Sequence, residues 1–295
     1  MTSTLFNGTG VAIVTPFDAQ KQVDYAALEN LLNHIIKGGV EFIVAMGTTS
    51  EAATLDETEK KDVLSHVIDV VNNRLPIVLG IGGNNTQQIV ETIGKTDLSN
   101  ISGILSVAPY YNKPNQRGLY EHFSAIARST SKPIILYNVP GRTCSNILAK
   151  TTLKLAHEFE HIVAVKEASG DFSQIMEVIQ HKPEHFSVLS GDDALTLPMI
   201  SVGAKGVISV TANAFPEAFS NMVRCALNGT YAEAGELHYS LLETMEQLFA
   251  DGNPAGVKKA LSVLNIAEEN LRLPLVKVND EVARKLENLI QKMEA

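Results

Sequence analysis

A (β/α)8 barrel of the TIM type, followed by a C-terminal helical appendage, is the fold class predicted by this 295-residue sequence. Three observations predict it. Short apolar runs rich in Val and Ile recur eight times before residue 224. Most of them are continuously apolar, as strands buried on both faces of a sheet must be. Their spacing of about 20–35 residues leaves room for the crossover helix that parallel strands require. Eight such units close most economically into a barrel, the alternative being an open, doubly wound sheet.

The candidate strands are residues 10–14, 42–45, 77–79, 104–107, 134–136, 162–165, 186–189 and 207–210. Between the first two, Tyr25, Leu28, Leu31, Leu32, Ile35 and Ile36 share one helical face, and Gly38-Gly39 supplies a stop. Similar units follow around the chain. After about Arg224 the strand signal ceases, and helical spacing takes over in residues 231–249, 254–264 and 280–293. Asp251-Gly252-Asn253 and Leu273-Pro274 punctuate these helices, and in the last one Val282, Leu286, Leu289 and Ile290 fall at i, i+4, i+7 and i+8. The expected division is a barrel over residues 1–224, carrying the active site, and a helical domain over residues 225–295.

The chain is long enough to bury a large core, and 45% hydrophobic with 19% charged residues describes an ordinary globular protein that folds throughout. A formal charge of −9 opposes attraction to phosphate backbones and anionic membranes, and no Lys/Arg-rich run overrides it locally. Nucleic acid and membrane are therefore not expected partners. The first cationic residue is Lys21, so the start lacks the charged region of a signal peptide, and no apolar stretch approaches a membrane span. A cytoplasmic location is expected. Cys144 and Cys225 form neither a C-x-x-C pair nor a metal-binding set, and are read as free thiols.

In a barrel of this kind the chemistry sits where strands end and βα-loops begin. Lys166 closes the sixth apolar run. An exposed lysine titrates near ~10.4, so only about one in a thousand is a free amine at neutral pH, whereas desolvation can bring a catalytic lysine to roughly 7–8. Tyr137-Asn138-Val139-Pro140-Gly141-Arg142-Thr143 follows the fifth run and adds a phenol and a guanidinium. Gly47-Thr48-Thr49-Ser50-Glu51 follows the second run, Ala108-Pro109-Tyr110-Tyr111-Asn112 the fourth, and Ser190-Gly191-Asp192-Asp193 the seventh. Each string has an ordinary alternative: a helix-capping turn, an aromatic packing pair, a surface charge or a strand-end lysine. Their joint placement on one rim favours imine chemistry, which needs a lysine amine, hydroxyl groups to move protons and a cation for an acidic substrate.

Other motifs fail. Gly94-Lys95-Thr96 resembles the end of a P-loop, but Ile89 occupies the place of its first glycine. Gly80-Ile81-Gly82-Gly83 lacks the third glycine of a dinucleotide fingerprint. Asp192-Asp193 suggests a metal, yet no His pair at i, i+4 accompanies it. His34, His66 and His122 lie in helical segments and are read as surface or packing residues.

With these residues in view, the sequence resembles the dihydrodipicolinate synthase family of the pyruvate-dependent Schiff-base aldolases, a superfamily that includes N-acetylneuraminate lyase. The resemblance covers nearly the whole chain. It is carried by G-V-A-I-V-T-P-F at residues 10–17, residues 47–51, A-P-Y-Y-N-K-P at residues 108–114, and residues 137–143, 165–170 and 190–193. It implies condensation of pyruvate with L-aspartate 4-semialdehyde, as a lyase of diaminopimelate and lysine biosynthesis. Lys166 would carry the imine, and Tyr137 would donate and accept protons. Thr48 and Tyr111 would relay them, Tyr111 reaching in from a neighbouring subunit. Thr49 and Ile208 would hold pyruvate, Arg142 the carboxylate of the semialdehyde, and Gly191 would be a further substrate-binding residue. The resemblance also implies a homotetramer, a dimer of dimers, and no metal or nucleotide cofactor.

Two departures from the family pattern stand out. Ser50 replaces the glycine of G-T-T-G-E, and if that position needs a positive φ, serine there is strained by about 1 kcal/mol or more. The lysine feedback site of some members maps onto Ala52, Ala53, Glu57, Lys60, Asn84, Gln88 and Tyr110, with Gln88 where sensitive members carry glutamate. Alternative functions are another pyruvate aldolase such as N-acetylneuraminate lyase, which lacks an arginine at the Arg142 position, or a non-catalytic metabolite-binding barrel.

Overall fold

The computed structural model describes residues 5–294. Eight parallel strands close into a barrel in chain order. They are β1 (Gly8–Ala12), β2 (Phe42–Ala45), β3 (Ile77–Gly80), β4 (Gly103–Val107), β5 (Ile134–Asn138), β6 (Ile162–Glu167), β7 (Ser187–Ser190) and β8 (Gly206–Ser209). The helices are α1 (Tyr25–Lys37), α2 (Glu57–Val71), α3 (Thr86–Lys95), α4 (Gln116–Arg128), α5 (Pro140–Thr143) and α6 (Ala149–Glu158). They continue as α7 (Phe172–His181), α8 (Thr196–Ser201), α9 (Pro216–Leu227), α10 (Tyr231–Phe249), α11 (Ala255–Val263) and α12 (Asp280–Glu294).

Alternation along each strand sorts its side chains into two layers. Ala12, Phe42, Val44, Val78, Leu105, Ile135, Tyr137, Leu189 and Ile208 fill the barrel interior with Phe6. Their neighbours Val11, Ile43, Leu79, Ile104, Leu136 and Val165 face outward into the larger core beneath the helices. A Cβ on Gly10 would come within 2.2 Å of the Phe42 ring, so this strand carries glycine where the ring crosses it. Helix starts follow the capping rule: Asp24, Asp56, Asn85, Asn115 and Asp171 each accept a backbone N–H of the first turn through the side chain.

Several expected boundaries move. The first strand begins two residues earlier than residues 10–14, because its ladder with β8 starts at Gly8↔Gly206 and the apolar Ile13 and Val14 lie beyond its end. Strands β5 and β6 run two residues past the apolar stretches 134–136 and 162–165, through polar Tyr137-Asn138 and Lys166-Glu167. The eighth barrel helix, α9, continues to Leu227, so a boundary at residue 224 falls inside a helix.

The C-terminal helices α10, α11 and α12 pack on one another and on the barrel, where α10 meets α9 and α8 and α11 meets the turn after β8. Leu241, Leu248, Val257, Leu261 and Leu286 belong to the same buried cluster as the outward strand residues. Among the described residues, no helix is long and apolar enough to cross a membrane.

Candidate active site

The two strand extensions put the key pair side by side. Tyr137 and Lys166 are partners in the β5–β6 ladder, both on the interior face, 7% and 5% exposed. The Lys166 ammonium nitrogen stands 4.3 Å from the centroid of the Tyr137 ring. This pairing depends on an irregularity: Ile134 pairs with Ile162 but Ile135 with Ala164, so β6 carries one extra residue. A regular register would bring outward-facing Val165 opposite Tyr137, because a one-residue slip exchanges the faces of a strand.

Polar residues on the outer face lock the same two strands. Asn138 and Glu167 are also ladder partners, and the Asn138 amide donates to both carboxylate oxygens of Glu167 at 3.0 and 3.1 Å. Gln174 from α7 donates to Glu167 at 3.1 Å and the Ser169 backbone N–H at 2.8 Å. Asn146 accepts from Asn138 at 2.7 Å. Three donors give this buried carboxyl group four hydrogen bonds, which satisfy it in place, and it holds the register that pairs Tyr137 with Lys166.

A cavity of about 230 Å³ opens above this pair at the C-terminal ends of the strands. Thr48, Thr49, Tyr137, Arg142, Lys166 and Gly191 all line it, and Ala12, Ala168, Asp192, Val210, Phe249 and Asn253 are among the other wall residues. Arg142 is exposed at α5. Gly191 is required at close quarters, since a Cβ there would stand 2.7 Å from that of Ala168 and 3.2 Å from the Lys166 stem. A larger, open groove of about 540 Å³ lies at the opposite end, before β3 and β4. Its one guanidinium, Arg74, already donates to Asn33 and to the Val70 and Val71 carbonyls.

The β2 loop is a 3-10 turn over Thr48–Ser50. Strain at Ser50 is not found: the left-handed residues of this loop are Met46 and Glu51, at φ 58° and 53°, while Ser50 lies within the turn. Ser50 is buried, its hydroxyl donates to the Ile13 carbonyl at 2.7 Å, and its own carbonyl accepts from Thr15 at 2.7 Å. Serine thus ties the loop to the chain after β1, which glycine could not do through a side chain.

Other expected residues lie outside the cavity. Tyr111 is 89% exposed, at φ 73°, and does not line the cavity of its own chain; Tyr110 is exposed too. Ile208 is buried in the barrel interior with Tyr137, and the wall near the end of β8 is Val210 instead. Of the residues matched to a feedback site, Asn84 donates to the Tyr110 carbonyl at 3.2 Å, and Lys60 pairs with Glu57 at 2.8 Å on α2. Ala52 and Ala53 lie in a second 3-10 turn, and Gln88 is exposed on α3.

Asp193 is an anchor in the structure. Its Oδ2 accepts from the Val210 and Thr211 N–H groups at 3.1 and 2.7 Å and from the Thr211 hydroxyl at 2.6 Å, fixing the chain after β8. Burial pushes its carboxyl above the ordinary range, against the lowering effect of these donors. Sequence reasoning missed Glu167, Asn138, Phe249, Asn253 and a buried Lys258–Glu51 ion pair. A local signal existed for the first two alone, as polar residues directly following Lys166 and Tyr137.

The model of the dihydrodipicolinate synthetase family matches residues 5–293 of the chain. A 4-hydroxy-tetrahydrodipicolinate synthase of Flavobacterium psychrophilum is 50% identical over 282 residues, 96% of each chain. Among solved structures, a dihydrodipicolinate synthase from Aquifex aeolicus is 42% identical with a TM-score of 0.94, covering 98% of each chain. A structure described as the first monomeric dihydrodipicolinate synthase variant is 34% identical with a TM-score of 0.95, over 99% of this chain and 98% of that one.

Proposed function

The chain belongs to the dihydrodipicolinate synthetase family, and from that premise we propose how its cavity performs the 4-hydroxy-tetrahydrodipicolinate synthase reaction. This is the condensation of pyruvate with L-aspartate 4-semialdehyde in diaminopimelate and lysine biosynthesis. The observation that carries the assignment is the buried Lys166 amine set 4.3 Å from the Tyr137 ring in a cavity at the C-terminal end of the barrel.

Lys166, as a free amine, attacks the ketone carbon of pyruvate, and loss of water leaves the imine. Once protonated, the imine draws the electron pair of a methyl C–H bond as that proton departs, giving an enamine. The enamine carbon attacks the aldehyde of the second substrate, whose oxygen takes up a proton. Tyr137 gives and receives the protons of these steps. Thr48 and Tyr111 relay them, Tyr111 from a neighbouring subunit. Thr49 and Gly191 hold the pyruvate carboxylate, with Ile208 supporting this side of the barrel from its interior. Arg142 at the mouth clamps the carboxylate of the semialdehyde. A cation there suits a short dicarboxylic product better than the sugar acid of a lyase. The iminium supplies its own positive charge as electron sink, so the reaction calls for no metal or nucleotide.

A homotetramer, as a dimer of dimers, is part of the same proposal. It is supported by the exposure of Tyr110 and Tyr111 at 44% and 89%, which leaves these rings available to a neighbour. The proposed setting is the cytoplasm. Borohydride reduction in the presence of pyruvate tests the assignment: mass spectrometry should place a reduced pyruvate adduct on Lys166, and Lys166→Ala should abolish it. Label on another residue, or none in active protein, refutes it.

A further inference from the structure

Glu51 and Lys258 are 207 residues apart, yet they form an ion pair with side chains 0% and 1% exposed. The Lys258 ammonium donates to Glu51 and, at 2.8 Å, to the Asn270 carbonyl, and it lies 4.1 Å from the Phe17 ring centroid. The second Glu51 oxygen accepts the Arg272 backbone N–H at 3.1 Å. Just before α11, the Asn253 amide donates to the Thr49 hydroxyl at 3.0 Å.

Stability alone explains this arrangement poorly. Taking two charges out of water costs most of what their attraction returns, and an apolar pair of equal volume often serves as well. What the pair does secure is a conformation. Glu51 is left-handed, a state unfavourable for any residue with a Cβ, and its N–H closes the Thr48–Ser50 turn on the Thr48 carbonyl at 3.1 Å. Thr49 is set from the other side: having accepted the Asn253 amide, its hydroxyl has its one proton free to donate. Thr48, Thr49 and Asn253 line the same cavity as Lys166.

We propose that Glu51, Lys258 and Asn253 are positioning residues through which the C-terminal helices fix the hydroxyls of Thr48 and Thr49 for pyruvate, setting its affinity and the rate of imine formation. This rests on the lysine-imine assignment above. Burial pulls Lys258 down to about 8; Glu51 opposes that shift, and the cations Lys21 and Arg272 reinforce it. Arg272 is itself paired with Glu59, and Lys21 donates to Asn270 at 3.2 Å. Raising the pH through this range therefore strips the pair of its proton and leaves Glu51 without the Lys258 cation.

The test uses borohydride trapping at varied pyruvate concentration, alongside steady-state kinetics, in the full-length protein. Two variants serve: Glu51→Gln with Lys258→Met, which removes both charges together, and Asn253→Ala, which leaves the ion pair intact. Circular dichroism and melting establish that they fold. The pyruvate concentration for half-maximal trapping should rise about tenfold or more in each, while KM for the semialdehyde changes little. Lys166 titrates alike in wild-type protein and in the double variant, which has no Lys258 proton to lose, so the wild-type advantage in half-saturation should shrink as pH climbs from about 7 to 9.5. Half-saturation unchanged in folded variants, a fall in kcat with both KM values intact, or a wild-type advantage over the double variant that does not change with pH each overturns the proposal. Failure of wild-type Lys166 to trap pyruvate would instead overturn the assignment on which it rests.

Discussion

His122 should make the fold acid-sensitive at the seam between α3 and α4. It is 5% exposed; Nδ1 lies 2.8 Å from the Thr86 hydroxyl on α3, and Nε2 is buried without a partner among the described residues. Phe123 packs edge-on at 5.0 Å. Burial holds the imidazole down to about 4 from its ordinary 6.5. Between these values the unfolded chain binds a proton that the folded one does not, so this contribution is fully present above about pH 6.5 and is lost as the pH falls through about 4. The gap between 6.5 and about 4, at about 1.4 kcal/mol for each step of one in pH, amounts to roughly 3.5 kcal/mol, most of it gone by pH 4.5. His34 and His238, also pushed down by burial, act in the same direction. A substitution is therefore needed to isolate His122. His122→Asn keeps a polar atom for Thr86 and cannot ionise. Guanidinium unfolding at one protein concentration, from about pH 7.5 to 4.5, should show the deficit of the variant shrinking by about 2–3 kcal/mol as the pH falls. Parallel stability curves would refute the assignment of this acid sensitivity to His122.

Three functional outcomes are expected. Arg142→Leu should depress kcat/KM for the semialdehyde by about a hundredfold or more, while pyruvate is still trapped on Lys166; an equal loss of trapping would show that Arg142 has a structural role. Tyr111→Phe should slow turnover about tenfold or more without altering the melting temperature. Mixed assemblies of Tyr111→Phe and Lys166→Ala subunits should turn over faster than either parent if the tyrosine serves a neighbour, and hybrids no more active than their parents would disprove sharing. L-lysine should inhibit weakly or not at all, because Gln88 offers its ammonium no charge and the nearby Glu57 carboxylate is already paired with Lys60 at 2.8 Å. Inhibition at micromolar concentration, noncompetitive with pyruvate, would contradict this.

Sequence alone determined the eight barrel strands, the C-terminal helices, and the places of Lys166, Tyr137, Thr48, Thr49, Arg142 and Gly191 on one rim. These are properties of periodicity and of short strings at strand ends, which neighbouring residues encode. Tertiary structure decided the rest. The extra residue in β6 that sets Lys166 opposite Tyr137 leaves no mark in an apolar run, since Val163, Ala164 and Val165 suit either register. That Glu51 and not Ser50 is left-handed in the β2 loop goes with the bonds of Ser50 to Ile13 and Thr15 and of Glu51 to Lys258 and Arg272. Asn253 and Phe249 became part of the cavity only when α10 and α11 packed across it. Local patterns report the state of each segment, but a buried charge or amide is placed by whichever partner the closed barrel brings to it, and for Glu51 that partner lies 207 residues away.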